Sequence, residues 1–442
     1  MTQLEAARAG VVTPAMERVA AREGRAPEEI RSAIAAGRIV IPANVHHLAP
    51  EWGGDGSGRL DPLGIGRTLR VKVNANLGTS PDHSCKEEEE IKMDLAIRYG
   101  ADAVMDLSTG GDLDGIRAHL IAHASVPLGT VPIYEMVQHR PIESLTVGEI
   151  LTVIEKQARQ GVDFFTIHAG ILREHIPLAA RRLAGIVSRG GSLLAAWMVH
   201  HGRQNPLYEE FDAICDIMRT HDVSFSLGDG LRPGCLADAS DEAQFAELRT
   251  IGGLVQRARA RGCQVIVEGP GHVPFDQIER NMRLEEELCD GAPFYVLGPV
   301  VIDVAPGYDH ITSAIGATAA AYHGASFLCY VTPTEHLGLP GPDDVREGVV
   351  AHRIAAHAAD VARGLAGSRE RDDAISRARV AFDWEAQMKL ALDPTRAREI
   401  RKDAGGDEDY CSMCGREWCA VRRSREVLRG FASAPAEAAP DS

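Results

Sequence analysis

The sequence predicts an α/β chain organised around a (β/α)8 barrel of the TIM type, and three observations carry that prediction. Short runs rich in β-branched and aromatic residues recur from about residue 70 onward, eight in all. Each run ends in a polar or glycine-rich turn and is followed by a stretch of helical composition. Strands alternating with helices imply βαβ units and a parallel sheet, and eight such units close on themselves. A doubly wound open sheet is the competing architecture.

Taken in order, residues 1–36 read as helical, with alanine and charged residues dominating. Ile39-Val-Ile-Pro-Ala-Asn44 reads as extended, and Gly53-Gly-Asp-Gly-Ser-Gly58 has the composition of a flexible linker. Residues 1–69 are therefore expected to form an N-terminal helical arm with its linker. The barrel is expected over 70–340. Its strands are the runs beginning at Val71, Ala103, Leu128, Asp163, Val223, Gln264, Phe294 and Ser326. Between the first two, Glu87-Glu-Glu-Glu90 opens a helix with acidic residues, as the helix dipole favours, and reads as a solvated first turn. Residues 341–402 read as further helices, 403–430 as a small segment bearing three cysteines, and the Ala/Pro-rich 431–442 as a disordered tail.

Composition narrows the function. Of 442 residues, 45% are hydrophobic and 25% charged, ordinary values for a globular enzyme. The net charge of −16 opposes nucleic-acid or anionic-membrane binding, which need basic surface. The N-terminus lacks the apolar core of a signal peptide, and no apolar run is long enough to span a bilayer, so a cytoplasmic protein is expected. Six of the nine cysteines (Cys85, Cys215, Cys235, Cys263, Cys289, Cys329) are scattered without pairing logic, as in a reducing compartment.

The other three form Cys411-Ser-Met-Cys414-Gly-Arg-Glu-Trp-Cys419. Thiolates at this spacing select zinc or an iron–sulfur cluster. No Cys or His follows, and the nearest upstream histidine is His357. A closed zinc site wants four protein ligands. Three thiolates on a 4Fe-4S cluster leave one iron open to a small molecule, which is the reading preferred here over a zinc knuckle or unliganded thiols.

A barrel places its chemistry at the C-terminal ends of its strands. Those ends carry Asn74-Ala-Asn76, Met105-Asp-Leu-Ser-Thr-Gly-Gly, Tyr134, His168, Gly228-Asp-Gly-Leu-Arg232, Glu268, His272, Tyr295 and Thr332-Pro-Thr-Glu-His336. Ser188-Arg-Gly-Gly-Ser192, ahead of a helical Leu193-Leu-Ala-Ala, offers glycines, free N–H groups and the Arg189 fork, a combination suited to phosphate. The alternative is an N-cap with a surface arginine. Arg232 adds a second arginine at a strand end. His272 and His336 are candidates to share a divalent metal, and Glu268, in the same turn as His272, can orient a ligand.

The stretches Met105-Asp-Leu-Ser-Thr-Gly-Gly, Ser188-Arg-Gly-Gly-Ser, Asp229-Gly-Leu-Arg-Pro-Gly, Glu268-Gly-Pro-Gly-His-Val-Pro, Ala305-Pro-Gly-Tyr-Asp-His-Ile-Thr-Ser and Glu335-His-Leu-Gly-Leu-Pro occur in this order, ahead of the cysteine triplet. Together they resemble the radical-SAM phosphomethylpyrimidine synthase family in its short form, from about Ile39 to Cys419. The glycine-rich Trp52–Arg59 departs from that family's pattern. The resemblance implies a 4Fe-4S cluster on Cys411, Cys414 and Cys419 with S-adenosylmethionine on the open iron. It implies conversion of 5-aminoimidazole ribotide to the hydroxymethylpyrimidine phosphate of thiamine, with formate and carbon monoxide as by-products. Carried over by motif, the substrate site comprises Asn76, Met105, Tyr134, His168, Ser188, Arg189, Gly190, Asp229, Gly230, Leu231, Arg232, Glu268 and Tyr295. Glu268 joins the three cysteines in the catalytic set, and His272 and His336 hold zinc or iron. A reductant protein such as flavodoxin or ferredoxin is implied, as is a homodimer whose cluster segment caps a barrel mouth.

Two rivals remain at this level. A 5-hydroxybenzimidazole synthase would use the same ribotide and most of the same motifs. A zinc-dependent barrel hydrolase would use His272 and His336 with a structural C-terminal zinc, and would need no S-adenosylmethionine.

Overall fold

The computed structural model describes residues 1–49, 60–407 and 409–433. The linker expected over Gly53–Gly58 and the departure at Trp52–Arg59 lie outside the described residues, as does the expected tail from 434 onward. The start of that tail belongs instead to the helix Ala420–Ser433. The chain forms two compact units, Met1–Leu365 and Ala366–Ser442.

The first unit is a closed barrel of eight parallel strands. These are β1 (Lys72–Leu77), β2 (Ala103–Asp106), β3 (Leu128–Thr130), β4 (Phe164–Ile167), β5 (Ser224–Leu227), β6 (Val265–Gly269), β7 (Phe294–Leu297) and β8 (Phe327–Cys329). Consecutive strands are neighbours, and β8 closes the circle by pairing Leu328 with Val73 of β1. All eight expected runs are strands. They are buried almost throughout, because helices cover the outside while side chains fill the inside. Phe225 of β5 points outward onto Phe211 of the helix Phe211–His221, with ring centroids 5.1 Å apart. Inside, Phe327 packs against Phe164 at 6.2 Å and Tyr295 at 4.3 Å. This aromatic layer is the floor beneath the polar residues of the strand ends.

The N-terminal arm seals the opposite end. Its helices Gln3–Arg8, Pro14–Glu23 and Pro27–Ala35 share a small core of their own, including Leu4, Met16, Val19, Ile30 and Ile34. Hydrogen bonds then fasten it to residues that precede barrel strands. Thr2 Oγ1 donates to Gly262 O at 2.6 Å, the Gln3 amide to Asp222 at 2.9 Å and the Ile41 amide to Gln264 at 2.8 Å. The Asn44 amide and the His47 ring both meet Asp163, at 2.9 and 2.7 Å. The arm is therefore part of the barrel's unit.

The helices expected over 341–402 divide between the units. Pro342–Ala362 packs on the barrel helices Asp309–His323 and Lys86–Tyr99. Ser368–Ala381, Trp384–Leu390 and Pro394–Ala404 belong to the second unit, where the Arg401 guanidinium stacks 4.0 Å from the Trp384 ring. Among the described residues, no helix is long and apolar enough to cross a membrane.

Two local expectations need correction. The helix after Ser188 begins at Arg189 rather than near Leu193, because the Ser188 hydroxyl accepts the Gly191 amide at 3.2 Å and caps it. The glutamate run is not uniformly solvated: Glu87 is exposed, but Glu89 is fully buried. It accepts from Lys92 Nζ at 2.9 Å and from the Gly78 amide at 2.7 Å, so it ties the helix Lys86–Tyr99 to the end of β1.

Candidate functional site

A cavity of about 630 Å³ opens at the C-terminal ends of the strands. Nine of the thirteen residues expected to hold substrate line it: Asn76, Met105, Tyr134, His168, Arg189, Asp229, Arg232, Glu268 and Tyr295. They come from seven different strands or the turns that follow, so barrel closure alone brings them together.

Above the aromatic floor, a cross-strand hydrogen-bond network lines this cavity. Asn74 Nδ2 donates to Asn76 at 2.9 Å and to the Tyr295 hydroxyl at 2.8 Å, while Asn76 Nδ2 reaches Cys329 Sγ at 3.0 Å. The Tyr295 hydroxyl in turn points at Met105 Sδ, 3.6 Å away. On the other side, Thr166 Oγ1 and Ser226 Oγ both donate to Glu268 Oε1, at 2.6 and 2.8 Å. Burial raises the Glu268 carboxyl above the ordinary carboxylate range, against those two donors.

The four remaining substrate candidates are support rather than lining. Ser188 Oγ stands 3.2 Å from His168 Nε2, while His168 Nδ1 is buried without a partner. Burial, with Arg232 nearby, pushes the His168 imidazole down to about 3, so it presents a neutral ring to the cavity. Gly190 permits this arrangement, since a Cβ there would lie 2.4 Å from the ring. Gly230 packs equally closely on Gly191: a Cβ on Gly191 would meet Gly230 O at 2.1 Å. The Gly230 and Leu231 amides donate to the two oxygens of buried Glu247, at 2.8 and 2.6 Å. That clamp fixes the loop between Asp229 and Arg232, whose side chains meet at 3.3 Å. Burial raises Asp229 to about 8, and burial plus the neighbouring Asp229 raises Glu247 to about 8. Arg189, first residue of its helix, lies with its guanidinium 4.7 Å from the Tyr134 ring centre. Two arginines and a helix N-terminus thus border one side of the cavity, a setting that suits an anion.

His272 and His336 lie beyond the ends of β6 and β8 and do not line the cavity, but they meet each other, with ring centroids 5.3 Å apart. Each Nδ1–H donates to a carboxylate at 2.9 Å, His272 to Asp303 and His336 to Asp309. This fixes both tautomers and leaves both Nε2 lone pairs available, the usual arrangement of metal-binding imidazoles. A parallel bridge between His272 and Val300 holds the first ring's backbone.

In the second unit, Cys411 ends the two-residue strand Tyr410–Cys411, which pairs with Gly406–Asp407. Cys414 and Cys419 flank the helix Gly415–Trp418. Three thiolates within nine residues are a donor set that suits a zinc ion or an iron–sulfur cluster.

Several neighbours were not singled out from sequence. Cys329, one of the six scattered cysteines, is buried and lines the cavity, as do Thr166 and Glu335. Glu335 also borders an adjoining cavity of about 1040 Å³ with Gly78, Thr79, Lys92 and Arg189. Asp309 and Glu335 sit inside motifs noted above, so a signal existed; Glu247, Thr166 and Asp303 carry none.

A family model described as the Radical SAM ThiC family matches residues 2–426. The phosphomethylpyrimidine synthase of Natronomonas pharaonis is 59% identical over 432 residues, covering 96% of this chain and 88% of its own. That of Halobacterium salinarum is 57% identical, covering 96% and 89%. That of Haloarcula marismortui is 58% identical, covering 97% and 88%. A match of this length takes in the arm, the barrel and the cysteine segment together, and the chain belongs to the Radical SAM ThiC family.

Proposed function

We propose that this chain makes the pyrimidine of thiamine, converting 5-aminoimidazole ribotide to 4-amino-5-hydroxymethyl-2-methylpyrimidine phosphate, with formate and carbon monoxide as by-products. The observation that carries this reading is the single cavity in which nine side chains expected to hold the ribotide converge. Arg189 and the helix start behind Ser188 suit its phosphate. Asn76, Tyr295 and Glu268 offer donors and acceptors to the imidazole and ribose. The buried His168 Nδ1 gains a partner when substrate arrives. The aromatic floor and barrel wall exclude water from whatever reactive species forms there.

The chain's donors fit the groups this chemistry uses. Cys411, Cys414 and Cys419 would hold a 4Fe-4S cluster, and His272 and His336, each backed by a carboxylate, would hold zinc or ferrous iron. When bound, the cluster and S-adenosylmethionine supply the 5′-deoxyadenosyl radical that starts the rearrangement. Electrons from a flavodoxin- or ferredoxin-type protein, a homodimeric state and a cytoplasmic location complete the proposal.

The test is anaerobic. The protein is reconstituted with iron and sulfide, reduced, and given S-adenosylmethionine and aminoimidazole ribotide, and the product is identified by mass spectrometry. The pyrimidine phosphate is expected. Hydroxybenzimidazole would reassign the chain to cobalamin-ligand synthesis, and intact S-adenosylmethionine with neither product would overturn radical chemistry here.

A further inference from the structure

On the outside of the barrel, two helices bring three metal-ligating side chains together. Glu90 belongs to the helix Lys86–Tyr99, which follows β1; His119 and His123 belong to Leu113–His123, which follows β2. The histidines are four residues apart and so share one helix face. One ligand atom from each of the three lies within 4.8 Å of the others, and no other trio among the described residues does so.

The hydrogen bonds already set the rings for coordination. His123 Nδ1 lies 2.8 Å from the His119 carbonyl, which can only accept, so Nδ1 carries the proton and the Nε2 lone pair is available. Donation of the second ring nitrogen to a backbone carbonyl is how metal-bound imidazoles are usually held. His119 Nε2 faces Glu90 Oε2 at 2.7 Å, so this pair needs only to open around an ion. The two rings lie 4.4 Å apart between centroids. Glu90 and His119 keep 33% and 23% of their side-chain surface, and His123 is exposed, which leaves room for water in the remaining coordination positions. Glu87, one turn earlier, adds negative charge near His119.

We propose that Glu90, His119 and His123 form a binding site for a divalent transition-metal ion, distinct from His272/His336 and from the cysteines. Two imidazoles and one carboxylate suit zinc, copper or nickel rather than magnesium or calcium, which prefer all-oxygen shells. An ion there cross-links the helices behind β1 and β2, the strands that present Asn76 and Met105 to the cavity.

The experiment uses full-length protein with its cluster and mouth metal already loaded. It is dialysed against micromolar Zn²⁺, and bound zinc is counted by mass spectrometry beside a His119→Gln/His123→Gln variant. The unmodified protein should hold one zinc more than the variant, and its melting temperature should rise with zinc where the variant's does not. His123→Gln alone, at an exposed position, should weaken binding at least 10-fold and guards against misfolding of the double variant. Copper(II) offers an independent readout, since its paramagnetic resonance should show two nitrogen ligands lost in the variant. Equal zinc counts, or copper nitrogen couplings that survive the substitutions, would assign any surface zinc to other histidines and overturn the site.

Discussion

Gly191→Ala probes whether the start of one helix and the Asp229–Arg232 loop form a single packed unit. A Cβ at this position would lie 2.1 Å from Gly230 O and 2.7 Å from Gly230 C and Cα, all backbone atoms. Real Cβ atoms essentially never approach below 3.0 Å, so the two segments must part by about 0.9 Å at least. Gly230 has little freedom to retreat, since its amide and that of Leu231 are held by Glu247 at 2.8 and 2.6 Å. Overpacking costs about 1–3 kcal/mol, and one lost hydrogen bond about 0.5–1.5. The sum, about 1.5–4.5 kcal/mol, is a large part of the 5–15 kcal/mol that ordinarily holds a domain together. Urea denaturation followed by circular dichroism measures it, and ribotide binding is expected to weaken in parallel because Arg232 sits on the displaced loop. Gly253→Ala is the control, a helical glycine with nothing within 4 Å of the added atom, where about 1 kcal/mol of stabilisation is expected. If Gly191→Ala keeps wild-type stability within 0.5 kcal/mol and binds ribotide normally, the packing described here is wrong.

Other perturbations separate the site's components. Arg189→Ala removes an exposed guanidinium that rests on Tyr134. Stability should stay within about 0.5 kcal/mol, while ribotide affinity, read by calorimetry, falls by about 1.5–3 kcal/mol, roughly 10- to 150-fold; unchanged affinity would take Arg189 out of the phosphate site. Asp309→Asn removes the carboxylate behind His336, and metal affinity at the histidine pair should drop about 10- to 100-fold, with no drop if His336 is not a ligand. Asp222, beneath the barrel, is raised to about 7 by burial. Its protonated form stabilises the fold fully below the unfolded value of about 3.9, and that contribution is lost as pH rises through 7. Three units correspond to at most about 4 kcal/mol. Asp222→Asn should therefore gain stability relative to wild type between pH 5 and pH 8; an identical difference at both values would mean the carboxyl is not perturbed.

The barrel was legible because its signal is repetitive. Eight apolar runs, each followed by a helical stretch, leave few other architectures, and strand ends then name the mouth without any knowledge of side-chain contacts. Eight residues read in this way line one cavity, and Arg189, read from the Ser188–Ser192 motif, joins them. What escaped was whatever depends on partners distant in sequence. Nothing near Glu247 announces that it clamps two amides sixteen and seventeen residues earlier, and nothing near Thr166 announces Glu268. Glu89 was misjudged because an acidic first turn is normally solvated, and only the packing of β1 shows that it must receive the Gly78 amide. The Ser188 cap was legible as chemistry, yet the helix boundary was missed by a turn, because glycines at 190 and 191 mask the helical start.

The arm beneath the barrel bears on how the chain folds during synthesis. Thr2 reaches its partner carbonyl 260 residues later, and Gln3 its carboxylate 219 residues later. At about 5–20 residues per second, the ribosome needs roughly 11 to 52 s to deliver them. For that interval the arm has only its own small core, in which Leu4, Met16, Val19, Ile30 and Ile34 shelter one another. Barrel closure is then what gives Asp163, Asp222 and Gln264 their arm partners. The arm is thus made before every barrel strand and is among the last segments to reach its final contacts, which makes its docking a natural checkpoint between a nascent and a finished barrel.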